Sequence, residues 1–273
     1  MAINFAEKYA PQVDERFSAG TLTAAAVNGA YDWTGVNTVS VYSIPTVAMS
    51  DYSMSGTNRY GKADELDAGV QALTLRRDRA FTFTIDRRTF ESTMMTQEAG
   101  KALARQIDEV TIPEIEIYRI AQMAECAGLR SGVSGLTKNN AYDCFLEGVN
   151  ALTENRVPLA GRVALITPKF YKAIKMDAAF MRSGDASQAL LATGAVGLVD
   201  GIPLILAPGS YFPAGVGFIL THPSATAAPV KLCEYKIHDN PPGINGWLIE
   251  GRVVYDAFVL ESKKNGIYVH VES

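Results

Sequence analysis

Between Val39 and Asp86 the chain writes two extended limbs separated by a polar stretch, and a compact domain of this length has no room for both. The limbs run from about Val39 to Tyr52 and from Val70 to Asp86, with Ser53 to Asp67 between them. The second is the clearer, because Phe81, Thr82, Phe83, Thr84, Ile85 and Asp86 alternate apolar with polar at period two. At roughly 3.3 Å per residue such a limb spans about 50 Å, whereas a compact chain of this size has a radius of gyration of about 18 Å. Part of the excursion is therefore expected to leave the body, with another surface covering its apolar row.

A long helix is expected next. Asp86 or Thr89, ahead of Glu91 and Ser92, supplies its start signal, and little interrupts the pattern from there to Cys126 until Gly128 stops it. Ala99, Leu103, Ile107, Val110, Ile117, Ala121 and Ala124 recur at spacings of three, four or seven and predict one apolar stripe. Lys101, Arg105, Asp108, Glu116 and Arg119 fall on the other, solvated faces. Pro113 conflicts with continuity, since it lacks a donor and crowds the preceding turn, so a kink or a break is expected there.

The remaining segments are shorter. Phe5, Tyr9, Val13 and Phe17 sit at helical spacing ahead of a flexible run, Ser18 to Gly29, which reads as an arm with one amphipathic segment. A loop rich in Gly and Ser, Gly128 to Gly135, precedes a helix from Ala141 to Leu152 with Phe145, Val149 and Leu152 on one face. Val163 to Ile166 reads as a buried strand leading through Thr167 and Pro168 into a helix, Lys169 to Asp177. Strands follow at Ile202 to Ala207, Gly217 to Thr221, Val230 to His238, Gly246 to Leu260 and Gly266 to Val271. Helices interleaved with mostly antiparallel strands predict an α+β fold.

Composition narrows the classes. The 273 residues are 48% hydrophobic and 20% charged, as in a globular protein with a real core. No apolar run approaches the roughly eighteen residues of a membrane span. Met1 to Arg16 has no apolar stretch behind a basic start, so no secretory signal is expected. Three widely spaced cysteines, Cys126, Cys144 and Cys233, suit neither a disulfide framework nor a zinc site, and fit a reducing compartment. A net charge of −4 gives no general case for binding nucleic acid.

The residues offer no assembled catalytic, metal or cofactor site. His222, His238 and His270 are far apart and are expected at strand ends or capped turns. Gly132-Val133-Ser134-Gly135 lacks the spacing and the preceding strand of a nucleophile elbow. Gly194 to Gly201 lacks the Lys-Ser or Lys-Thr end of a phosphate cradle. The basic cluster Arg76, Arg77, Arg79, Arg87 and Arg88 suggests a phosphate stripe with Phe81 and Phe83 as stacking platforms. Asp78 and Asp86 interrupt it, however, and Asp64, Glu65 and Asp67 lie across the excursion, so salt bridges between neighbouring subunits suit the mixed signs better.

The whole succession resembles the major capsid protein of tailed bacteriophages, the Hong Kong 97-like fold. Several strings carry the likeness: Tyr-Asp-Cys-Phe-Leu-Glu-Gly-Val-Asn at 142–150, Ile-Thr-Pro-Lys-Phe-Tyr-Lys at 166–172, Val-Asp-Gly-Ile-Pro-Leu-Ile at 199–205 and Thr-His-Pro-Ser-Ala at 221–225. Lys-Ile-His-Asp-Asn-Pro-Pro-Gly-Ile-Asn-Gly at 236–246 and Gly-Arg-Val-Val-Tyr-Asp-Ala-Phe-Val-Leu at 251–260 complete them. The resemblance implies an N-terminal arm over 1–30 and an extended β-hairpin loop with flanking strands over 31–91, its tip near Thr57 to Asp67. It further implies a spine helix of the peripheral domain over 92–127, an axial domain over 128–229, and peripheral strands with the C-terminal strand over 230–273. Asp239, Asn240, Pro241 and Pro242 would open a rigid turn that meets other capsomers.

Function in that reading is assembly, not catalysis. Copies would form hexamers and pentamers of an icosahedral head around double-stranded DNA, bound without sequence specificity. Scaffolding, portal and decoration proteins are further implied partners, and the place of action is the virion, assembled in the host bacterial cytoplasm. Inter-subunit contacts are expected from Lys62, Asp64, Glu65, Asp67, Arg76, Arg77, Arg79, Phe81 and Phe83 and from the turn. Some members of the family link subunits through a loop lysine and an asparagine near this turn, where Lys62 and Asn240 stand here as ordinary solvated residues or as such a pair. Two alternatives stay open: an encapsulin-like nanocompartment shell of the same fold, and a small-molecule α+β enzyme.

Overall fold

The computed structural model describes residues 21–29, 31, 38–43, 46–63, 65, 69–88, 99–131, 135–177 and 195–272. The amphipathic segment expected over 5–17, the start of the long helix at 89–98 and the Gly-Val-Ser stretch at 132–134 lie outside them. The chain divides into two units, one comprising 32–74 and the other the remainder.

The larger unit is built on a six-stranded mixed sheet. Its strands are β4 (Leu129–Arg130), β5 (Val163–Ile166), β6 (Ala195–Val199), β7 (Ile202–Leu206), β8 (Val216–Thr221) and β13 (Ile267–Val271), in the order β4-β13-β8-β5-β7-β6. β5 shows why these residues make a central strand, since all four of its side chains are buried and they alternate between two cores. Ala164 and Ile166 face helices α3 (Ala141–Glu154) and α4 (Pro168–Lys175), where Phe145, Phe170 and Phe218 pack together. Val163 and Leu165 face the opposite core, with Ile120, Met123, Phe212 and Ala26. Gly148 lets α3 sit close, because a Cβ there would lie 2.7 Å from both Leu220 Cδ1 and Tyr268 Cε1.

A second sheet in the same unit is antiparallel, with β11 (Gly246–Tyr255) between β10 (Val230–Asp239) and β3 (Arg77–Asp86). Its inner face carries Ile85, Tyr235, Ile249, Val253 and Tyr255 and packs on the long helix through Leu103, Ile107, Ile112 and Ile115. A small pair, β9 (Thr226–Ala227) with β12 (Phe258–Val259), closes that region.

The long helix shows no break at Pro113, and its buried face departs from expectation. It is continuous across Pro113, running as α1 (Ala99–Gln106), a π turn over Ile107–Thr111 and α2 (Ile112–Glu125). In the π turn the Ile112 N–H reaches back to the Ile107 carbonyl, an i→i−5 bond, and Pro113 follows where the ladder has already slipped by one residue. The extra residue also advances the buried face, so the stripe expected through Val110 and Ile117 fails there. Val110 and Ile117 are exposed, while Ile112, Ile115, Ile120 and Met123 are buried. Glu116 and Arg119, expected in solvent, are buried for the same reason.

The extended limbs are also corrected. The second is not one strand, since β2 (Gly69–Thr74) ends before Leu75–Arg76 and β3 begins a new partnership with β11. β3 thus belongs to the larger unit and not to an outward limb. Among its described residues the first limb is a strand over β1 (Thr38–Ser43) alone. Within the smaller unit β1 pairs antiparallel with β2, from Thr38 opposite Thr74 to Ser43 opposite Gly69, and the two threonine hydroxyls lie 3.0 Å apart. Residues 22–28 were expected in an arm lying over a neighbour, yet Ala26 is fully buried in this chain's own core and Asn28 N–H donates to Thr226 O at 2.7 Å. The hairpin from β6 to β7 had not been expected. Its turn, Asp200-Gly201, has positive φ at both residues, 49° and 76°, as a type I′ turn demands.

Candidate assembly surfaces

The smaller unit carries the exposed apolar surface. Its connecting segment folds on itself, with Ser53 N–H donating to Arg59 O at 2.9 Å, Ser50 Oγ donating to Tyr60 O at 2.8 Å, and the Tyr52 and Tyr60 rings edge to face at 5.1 Å. Met49 is fully exposed, Met54 88% and Tyr60 86%, and Tyr42, Val47, Tyr52 and Val70 are each at least half exposed. Single exposed apolar residues are ordinary. Seven in a unit of this size, 32–74, are a concentration that stands out from scattered exposure. Lys62 and Glu65 are exposed in the same unit, and Asp64 and Asp67 lie outside the described residues.

The basic residues at the start of β3 find partners within their own chain. The Arg77 guanidinium lies 4.6 Å over the Tyr118 ring. Arg79 Nε donates to Glu114 Oε1 at 2.8 Å, and Tyr255 Oη donates to the same oxygen at 2.9 Å. Burial, then that bond, push the Tyr255 phenol well above its usual range. Asp78 accepts from Arg252 Nε at 2.9 Å, and this bond, ahead of the Arg252 charge, lowers its carboxyl. The Arg76 side chain is exposed. Phe81 and Phe83 are half-buried, stacked at 6.2 Å and packed on the helix-facing core, with Phe81 6.0 Å from Tyr235. That position is at odds with rings held out as platforms for nucleic-acid bases.

The turn between β10 and β11 is closed by backbone hydrogen bonds. Asn240 adopts a left-handed φ of 47° and donates its N–H to Gly246 O at 2.7 Å. Ile244 N–H closes on Pro241 O at 3.0 Å, with Pro242 and Gly243, φ 84°, at the centre of the turn. Asp239, Asn240 and Pro242 are exposed, and Asp239 also meets Arg87 at 3.4 Å.

The histidines sit in structural roles. His222 caps the turn Pro223–Ala225, its ring accepting from Ser224 N–H, and His238 meets Glu250 at 3.1 Å on the open face of the three-stranded sheet. His270 is buried, with its ring 5.0 Å from Phe218. Among the described residues no group of three His, Cys, Asp or Glu could hold a metal ion, and no helix is long and apolar enough to cross a membrane.

Two buried polar constellations escaped the sequence. Glu116 accepts from Thr23 N–H at 3.0 Å and Thr23 Oγ1 at 2.8 Å. Its Oε1 lies 3.5 Å from the Arg119 guanidinium, which donates onward to Thr23 Oγ1 and Ala228 O. Burial pushes the Glu116 carboxyl up and the Arg119 guanidinium down, each offset in part by the other's charge. The second is centred on Asp256, 2% exposed, which accepts from Arg76 N–H at 2.9 Å, Tyr118 Oη at 2.8 Å and Ala257 N–H at 2.8 Å. Partners 93 and 180 residues apart leave no local signal.

No protein-family model and no curated protein matches the chain. Solved structures do. The head structure of Helicobacter pylori bacteriophage KHP40 superposes with a TM-score of 0.67 at 9% identity, covering 93% of this chain and 91% of that one. A structure of Mycobacterium phage Che8 gives 0.63 at 19% identity, covering 92% and 90%. A virus-like particle from Pyrococcus furiosus gives 0.61 at 13% identity, covering 98% and 100%. The chain has the fold of these phage and virus-like-particle structures over nearly its whole length, and its α+β architecture agrees with the Hong Kong 97-like expectation.

Proposed function

We propose that this chain is a major capsid protein, the repeating subunit of an icosahedral phage head, which assembles into hexamers and pentamers around double-stranded DNA. The observation that carries the reading is the smaller unit, a separately paired hairpin offering Met49, Tyr52, Met54 and Tyr60 to solvent, in a chain with the fold of phage capsids. Laid on a neighbouring copy, that surface is buried and each copy is joined to the next around a ring. Lys62, Asp64, Glu65 and Asp67 would supply polar contacts beside it, and Arg76, with Arg77 and Arg79 where they are not already engaged by Tyr118 and Glu114, the facing strand, while Phe81 and Phe83 would contribute only their exposed edges. The projecting turn at Asp239, Asn240, Pro241 and Pro242 costs little ordering on contact, because its conformation is already set. Residues 128–229 would form the axial domain and the three-stranded sheet with the long helix the peripheral one. A net charge of −4 suits a shell that releases its DNA.

The work of such a chain is assembly, with no reaction to catalyse. Light scattering and negative-stain microscopy of the purified protein, with and without a scaffolding partner, test this. Closed shells, or rings of about 150 and about 180 kDa from five and six 29.4 kDa chains, are the expected result. A chain that stays monomeric even with scaffold overturns the proposal. A nanocompartment shell is the second reading, favoured by the likeness to a virus-like particle at 98% and 100% coverage. Particle contents separate the two: nuclease-protected DNA belongs to a head, and co-purifying protein cargo to a compartment.

A further inference from the structure

The dipeptide Asn-Gly occurs three times in the chain, at 28–29, 245–246 and 265–266. In this pairing an asparagine amide is most open to attack by its own backbone, because glycine has no Cβ to shield the nitrogen that follows. The fold treats the three differently. Asn265 Nδ2 donates to Asn155 Oδ1 at 3.0 Å, and its Oδ1 packs so closely on Gly128 that a Cβ there would clash with it. Gly266 behind it is buried, its carbonyl taking the His222 N–H at 3.0 Å. Asn28 is half-buried and donates its N–H to Thr226 O at 2.7 Å, in a parallel bridge with Ala227. Asn245 is exposed where the turn enters β11, and its side-chain amide has no hydrogen-bond partner among the described residues.

We infer that Asn245 is a modification site of the folded chain, where the side chain deamidates without an enzyme. The Gly246 nitrogen, deprotonated by solvent hydroxide, bonds to Asn245 Cγ. The Cγ–Nδ2 bond breaks, and the amide nitrogen takes up a proton and leaves as ammonia. Water then opens the succinimide at either carbonyl, which leaves an aspartate or an isoaspartate. The reactive pairing is held in place by the sheet, since a Cβ at Gly246 would run into the Ile85 carbonyl oxygen of β3. Either product adds a negative charge to a turn that already exposes Asp239. Isoaspartate also adds a carbon to the backbone, beside the bond from Arg87 N–H to Asn245 O at 2.9 Å that starts the β3–β11 ladder. The site acts in the single chain, whether or not copies assemble.

The test is incubation of the full-length natural chain at mildly alkaline pH, folded and in urea, followed by digestion and mass spectrometry of the three Asn-Gly peptides. In urea all three are expected to exchange NH2 for OH at similar rates. In the folded chain the Asn245 peptide should stay close to its unfolded rate. Those of Asn28 and Asn265 should fall about tenfold or more behind it, as sites that must first open locally do. Isoelectric focusing of the folded chain should show an acidic band growing with time. In Asn245→Gln that band should be largely lost, because the longer side chain closes a larger ring more slowly. A folded Asn245 peptide slowed as much as that of Asn265 overturns the site, and so does an acidic band that grows equally in the natural chain and in Asn245→Gln.

Discussion

At the scale of single residues, Glu116 and Arg119 decide how firmly segment 22–28 belongs to its own chain. Both charges have left water, and each is tolerated because the other, with Thr23 and Ala228 O, replaces its hydration. Removing one partner alone strands the other, so Arg119→Met is expected to cost about 3–5 kcal/mol in urea unfolding. The double variant Glu116→Gln with Arg119→Met should cost clearly less, and equal losses would show that the pair is not coupled. The pH dependence has a definite sign. Glu116 in the fold titrates above its ordinary value of 4.5, so its contribution is most favourable below that value and is lost as pH rises through the raised one. The stability of the natural chain relative to Glu116→Gln should therefore fall as the pH is taken from about 4 towards neutrality, and a difference that is flat or rising with pH would contradict the burial argument. Arg162 is a quieter case of the same economy. Its guanidinium, 2% exposed, donates to the carbonyls of Val149, Val157 and Pro158 at the C-terminal end of α3, with no carboxylate paired to it among the described residues.

At the scale of elements, packing follows side-chain size as closely as charge. Gly148→Ala would raise helix propensity in α3 by up to about 1 kcal/mol, but its Cβ would stand 2.7 Å from the buried Tyr268 ring, which cannot rotate away as the Leu220 methyl can. Overpacking of that kind costs about 1–3 kcal/mol, so a lowered melting temperature is expected, and an unchanged or raised one would show that α3 can lift off the sheet freely. Elements whose causes are local were legible in the sequence: the alternation of β3, the buried run of β5, the face of α3, and the turn Asn240-Pro241-Pro242-Gly243. The hairpin at Asp200-Gly201 has an equally local cause, a turn dipeptide suited to positive φ that stands among several other glycines. What could not be read has distant causes. The break at Leu75–Arg76 is set by Asp256, the buried face of α2 by a π turn that shifts the period by one residue, and the in-chain pairing of Arg77 and Arg79 by Tyr118 and Glu114 on the helix.

At the scale of the whole molecule, the proposed shell reading gives the two units different work. Among the described residues the larger one buries cores on both faces of its six-stranded sheet, whereas the smaller one exposes Met49, Met54 and Tyr60 almost completely. Met49 and Met54 are 100% and 88% exposed, so Met49→Lys with Met54→Lys removes little packing within the chain. Thermal unfolding of the unassembled protein is expected to stay within the roughly 0.5 kcal/mol range of ordinary surface substitutions. Assembly should behave otherwise, because every copy would carry both lysines into a contact that buries them, and burying an unpaired ammonium is costly at each repeat of the interface. Sedimentation of the variant should show monomers or isolated rings under conditions where the natural chain forms shells. Shells formed at the same protein concentration would mean that copies meet through another surface and that the exposed methionines serve some other end. Loss of shells together with a large fall in melting temperature would mean that the smaller unit is packed more tightly than its exposure indicates. Only loss of assembly at unchanged stability assigns this surface to the contact between copies.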